Sequence, residues 1–254
     1  MSATGKPQPI TEDRTVTAGE ALARYATNRL AGCNEGETRG IAAALELVVQ
    51  FLDQMGPELL DPLTRRRLER GSPRAARDLL GAGCLARLLG PCSRLFPFSV
   101  LAGHGVLCAF AAEAPRLVRW LGAEGLATST DLALFRGHFR CARAALDRHE
   151  RLQAAVELAS SPFLYASHDD MNVGHYLVES VSGQVLAVRA NDVRLEPVRC
   201  PVGFEGAFRP GQSVSLALLR SGVGFVPLAM NLPATPEEFE TLVGRARLSP
   251  PTPS

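Results

Sequence analysis

The chain has 254 residues, 46% of them apolar, enough to enclose one large core or two modest ones. Its 27 basic and 26 acidic residues leave a net charge of +1, so the whole protein lacks the field of a dedicated nucleic-acid binder, and any such contact has to come from a local patch. Six scattered cysteines, Cys33, Cys84, Cys92, Cys108, Cys141 and Cys200, lack the dense spacing of a disulfide-stapled secreted domain and fit a reducing cytoplasm.

Residues 1–17 hold Pro, Thr, Gly and charge, with no apolar stretch that could serve as a signal peptide, and are expected to be disordered. Ile41, Leu45, Val48, Val49 and Leu52 recur at helical steps, and Gly56-Pro57 should end that helix. Ser72-Pro73 has the form of an N-cap followed by proline at the first helical position. It predicts a helix through Leu79, Leu80 and Leu88 that Gly90-Pro91 closes.

Leu95 to Ala112 carries no charge, but Pro97, Gly103, His104 and Gly105 interrupt it, and it scarcely reaches the ~18 apolar residues that a bilayer requires. A buried central helix is expected there, and no membrane association. Pro115 to Leu121 should form an amphipathic turn or two anchored by Trp120, the only tryptophan. Thr128 and Asp131 match a capping box that opens a long helix to about Ala159. Leu117 to Leu126 resembles a helix end common in bacterial helical domains, including the DNA-clamping domain of tyrosine recombinases. No recombinase catalytic domain follows it, and no residue role carries over.

From His175 onward the alternation has a period of two: Val214, Leu216 and Leu218 face one way, Ser213, Ser215 and Ala217 the other. Turn signals at Ser182-Gly183, Asn191-Asp192, Pro210-Gly211 and Ser221-Gly222 bracket strands near 175–181, 184–190, 193–199, 213–220 and 223–230. Thr235, Pro236 and Glu238 then start a helix with Phe239, Leu242 and Val243 as its apolar stripe.

The predicted class is α+β: an all-α helical bundle over 18–160, a small five-stranded antiparallel β-barrel over 163–232, a C-terminal helix over 233–248, and disordered tails over 1–17 and 249–254. The boundary should fall between Ala159 and His175, at Ser160-Ser161-Pro162.

The densest basic run is Arg65, Arg66, Arg67, Arg70, Arg74 and Arg77, opposed locally only by Glu69; such guanidinium groups can grip phosphates. No aromatic residue interleaves with the run to stack on bases, and all basic residues except Lys6 are arginine, so the count itself says little. Arg136, Arg140 and Arg143 form a second stripe, with Arg148 and Arg151 beyond it. His168, Asp169, Asp170 and His175 are the densest set of metal-ligand types. The helical His-Asp phosphohydrolases use an adjacent His-Asp pair with further ligands on surrounding helices, and no such ligands can be placed in this sequence. Cys84, Cys92, His104 and Cys108 lack the paired knuckles of zinc sites and read as core, although the step from His104 to Cys108 puts both on one helix face.

There is no phosphate loop, dinucleotide fingerprint, nucleophile elbow or zinc-protease helix. The expected function is therefore that of a non-catalytic, cytoplasmic bacterial protein whose helical scaffold and small barrel bind a protein partner, with no cofactor. The alternatives are a nucleic-acid-associated protein using the arginine run and a metal-dependent hydrolase built on the His/Asp set.

Overall fold

The computed structural model describes residues 16–60, 62–70, 75–99, 101–161, 171–190, 193–194, 197–221, 224–238 and 240. Its helices come first: α1 (Ala18–Leu30), α2 (Glu35–Met55), α3 (Pro62–Glu69), α4 (Gly83–Ser99), α5 (His104–Ala123) and α6 (Ser129–Ser160). Six strands follow: β1 (Met171–Ser182), β2 (Val185–Ala190), β3 (Val193–Arg194), β4 (Val198–Arg199), β5 (Ser213–Ser221) and β6 (Gly224–Met230). None of the described helices is long and apolar enough to cross a membrane.

Local chemistry sets several of the helix ends. Thr17, Asn34 and Thr128 each close a capping box, with Glu20, Glu37 and Asp131 respectively. Gly56 ends α2 as its composition predicts. The helix expected to close at Gly90-Pro91 behaves differently. Ser72-Pro73 lies outside the described residues, α4 starts only at Gly83, and it runs through both Pro91 and Pro97. An interior proline costs ~3 kcal/mol. Burial of Leu85, Leu88, Leu89, Leu95 and Phe96, at ~2 kcal/mol each, outweighs the cost of the two prolines. The expected central helix is likewise divided: α4 stops at Ser99, α5 begins after Gly103, and the turn expected at Pro115 to Leu121 is the continuation of α5.

Two buried carboxylates pin the helices together. Glu113 on α5, only 3% exposed, accepts from the Tyr25 hydroxyl at 2.8 Å, from Arg29 Nε and Nη2 at 3.1 and 3.0 Å, and from Arg116 at 2.5 Å. Burial pushes its carboxyl up, but these donors together hold it below the usual carboxylate range. Asp131, 2% exposed, completes the cap of α6 and accepts from Arg87 Nε of α4 at 2.6 Å. Its carboxyl too is held low by Thr128 and Arg87 against the pull of burial.

The sheet is mixed, which corrects the expected five-stranded antiparallel arrangement. Its order is β1-β5-β6-β4-β2-β3, and β1 pairs with β2 as well. Most pairings are antiparallel, but β4 and β6 run parallel through Val198 and Phe225. The single strand expected over 193–199 is two short pieces, β3 paired on β2 and β4 lying between β2 and β6. Gly224 allows this approach, since a Cβ there would sit 2.6 Å from the Pro197 carbonyl oxygen. The Pro210-Gly211 turn forms as expected, with Gly211 at φ +84° and Gln212 N–H donating to Arg209 O at 3.2 Å.

Two apolar cores result, one among the helices and one between the sheet and α6. Helix α6 belongs to both. Up to Leu146 it contributes Phe135, Ala142 and Leu146 to the helical core, and beyond that point it adds Leu152 and Val156 to the sheet core. Gln153 of α6 also pairs with the edge of β6 as a strand would: its Nε2 donates to Leu228 O and its Oε1 accepts from Met230 N, both at 3.2 Å. An otherwise open edge is thereby covered. Beside it His149, fully buried, contacts Met230 O through Nε2 at 3.2 Å, while its Nδ1 has no partner among the described residues. Burial drives this imidazole down to about 4, so it stays neutral.

Candidate functional site

The end of α4 meets the exit of β6 through unsatisfied helix carbonyls. The last carbonyls of a helix have no intrahelical donor. Here Leu232 N donates to Pro97 O at 2.8 Å, and the Asn231 amide donates to Phe98 O. Asn231 is 1% exposed and bonds through both its side chain and its backbone. Its Oδ1 accepts from Ser215 N at 2.8 Å, and its own backbone N–H donates to Ser215 O at 3.2 Å. This clamp explains why the second face of β5 is covered: Ser215 and Ala217, expected to face solvent, are 4% and 9% exposed.

Above the clamp opens a pocket of about 470 Å³. Phe98, Val214, Ala234 and Pro236 supply its apolar wall, and His175, Ser215, Asn231 and Glu240 its polar groups. His175 and Ser215 lie directly opposite in the β1–β5 register, so their side chains share a face. The His175 Nδ1 and Ser215 Oγ are 2.7 Å apart. Thr235 and Glu238 close the expected capping box at the pocket mouth, through bonds of 2.8 and 3.1 Å, while residues 241–254 lie outside the described part of the chain.

The other candidates separate. Of the metal set, His168, Asp169 and Asp170 lie outside the described residues, and His175 is placed in this pocket. Of the arginine run, Arg74 and the side chain of Arg67 lie outside them. Arg65 donates through Nε to Pro57 O at 2.7 Å, and Arg77 pairs with Asp53 at 2.6 Å. Arg66 and Arg70 are exposed near the end of α3. In the second stripe, Arg136 folds back onto Leu132 O and Arg143 pairs with Asp147. No disulfide joins the cysteines among the described residues. Cys92 is fully buried in the helical core and Cys84 packs against that core, as expected, whereas His104 and Cys108 meet Glu150 of α6.

Sequence reasoning did not select Ser215, Asn231 or Glu150. The available signal for Ser215 was its position among polar alternates on a strand, and nothing local linked it to a histidine forty positions away. No protein-family model, curated protein or solved structure matches the chain.

Proposed function

We propose that the protein is a binding protein that takes a small ligand, with an apolar body and a hydrogen-bonding end, in the pocket between α4 and the sheet. The observation that carries this reading is the composition of that pocket: an apolar wall joined to an exposed imidazole that is already hydrogen-bonded to a buried hydroxyl. Such a pairing orients a ligand's polar end while the wall takes its body. Binding without bond cleavage is favoured because the backbone N–H and C=O of Ser215 are both committed to Asn231. Ser215 therefore has no free N–H to contribute to an oxyanion hole.

In this reading the helices are the scaffold and the strands a small barrel-like module. The pairing of β1 with both β5 and β2 supports the barrel, and the two cores support a division near 160, with α6 common to both parts.

A fragment set screened against the full chain by ligand-observed NMR and thermal shift tests the proposal. Fragments that raise the melting temperature should lose their effect in Ser213→Trp, which fills the pocket from the exposed start of β5. Fragments indifferent to that substitution, or none that bind at all, would overturn it. Stoichiometric labelling of Ser215 by a fluorophosphonate would replace it with a hydrolase reading.

A further inference from the structure

A second cluster lies away from the pocket, where the start of α5 crosses α6. His104 and Cys108 are one helical turn apart on α5, and Glu150 reaches them from α6. All three are half-buried, and their ligand atoms lie within 4.8 Å of one another.

The histidine's tautomer follows from its partner. Nδ1 of His104 is 3.2 Å from the Glu150 carbonyl oxygen, which can only accept, so Nδ1 carries the proton and Nε2 the lone pair. That Nε2 lies 3.5 Å from Cys108 Sγ, and Sγ is 3.1 Å from Glu150 Oε1. With metal bonds of about 2.3 Å to sulfur and about 2.1 Å to nitrogen, a tetrahedral edge is about 3.6 Å. Two of the separations, 3.5 and 3.1 Å, are therefore close to one tetrahedral edge, and the candidate ligand atoms all lie within 4.8 Å of one another, close enough to converge on one ion. A backbone carbonyl that fixes the far ring nitrogen is the usual support of a metal-bound histidine. The crossing is also held in place: Glu157, two turns further along α6, accepts from the His104 backbone N–H at 2.6 Å and caps α5, whose N-cap residue Gly103 has no side chain to do so.

We propose that His104 Nε2, Cys108 Sγ and Glu150 Oε1 bind one divalent cation of the zinc class. Thiolate with imidazole selects zinc and its neighbours over calcium or magnesium. Thiolate and carboxylate together neutralise the ion's charge. Without the ion, the thiol proton is donated to Glu150. On binding, the S–H bond breaks, a sulfur–metal bond forms and the proton leaves to solvent. Three protein ligands leave a fourth position for water.

The test uses the full chain, stripped with a chelator and titrated with cobalt(II). One equivalent should bind with tetrahedral d–d bands and a thiolate-to-cobalt charge-transfer band. Cys108→Ser should abolish that band, His104→Gln and Glu150→Gln should weaken binding at least tenfold, and Cys141→Ser should change nothing. No charge-transfer band at several equivalents, or a band that survives Cys108→Ser, would overturn the site. Should Cys108→Ser fail to fold, alkylation of the unsubstituted chain decides: cobalt should protect Cys108 from iodoacetamide, and equal labelling with and without the ion would count against the proposal.

Discussion

The helical core and the sheet junction are fastened by opposite chemistry. Among the helices the long-range ties run through ionised carboxylates, Glu113 and Asp131, each surrounded by donors. Where α6 and α4 grip the sheet, the ties are neutral: the amides of Gln153 and Asn231 and the uncharged ring of His149. A carboxylate gathers several donors into one point and so can hold α1 and α5 together from a single residue. An amide presents one donor and one acceptor side by side, which matches the edge of a strand. The cost of failure differs as well, because a stranded charge is worse than a stranded amide.

Removing Glu113 tests the charged half most severely. Glu113→Ala should destabilise the fold by about 3 kcal/mol or more in denaturant titrations, since it leaves the Tyr25 hydroxyl and the Arg29 guanidinium without their shared acceptor. A loss below 1 kcal/mol would mean that the ion pair is incidental to packing.

Acid separates the halves by pH. His149 has its ordinary value near 6.5 when unfolded and about 4 when folded, so unfolded chains bind the extra proton between those limits. Stability should be full above 6.5, fall by about 3 kcal/mol as the pH drops towards 4, and then level for this group. Glu113 and Asp131 act later. Their contribution is present above their ordinary values of 4.5 and 3.8 and is lost as the pH falls through their lower folded values. His149→Gln should flatten the first limb and leave the second, read by denaturant titrations at a series of pH values. Fluorescence of Trp120, which packs against Tyr25 at 5.5 Å, follows the helical half during the second limb. An unchanged first limb would show that another group carries it.

Gln153→Leu keeps the volume but strands Leu228 O and Met230 N, and should cost about 2 kcal/mol. Hydrogen exchange should then quicken first at Met230, before the helical amides. Uniform acceleration would instead join the two halves into one cooperative unit.

What could be read ahead of the structure was local. The Thr128–Asp131 and Thr235–Glu238 boxes, the stop at Gly56 and the turn at Gly211 each depend on residues within four positions of one another. The passage of α4 through Pro91 could not be read, because the burial that overrides a missing N–H comes from other helices. The parallel step between β4 and β6 was hidden for the same reason: two-residue strands carry no periodicity. For the sites, His175 stands out in the sequence through neighbours that lie outside the described residues, while its partner Ser215 is set by register. The step from His104 to Cys108 was visible, but the ligand that makes it more than core packing comes from another helix.

Helix α6 also bears on the order of synthesis. A chain made from its N-terminus completes every helix of the first core before β1 exists. At that moment the second half of α6 presents Leu152 and Val156, with Gln153 between them, to water. Until the strands emerge this face is a sticky stripe on an otherwise finished bundle, open to chaperones or to other nascent copies. The same helix that joins the two halves in the mature protein thus makes the first half wait for the second.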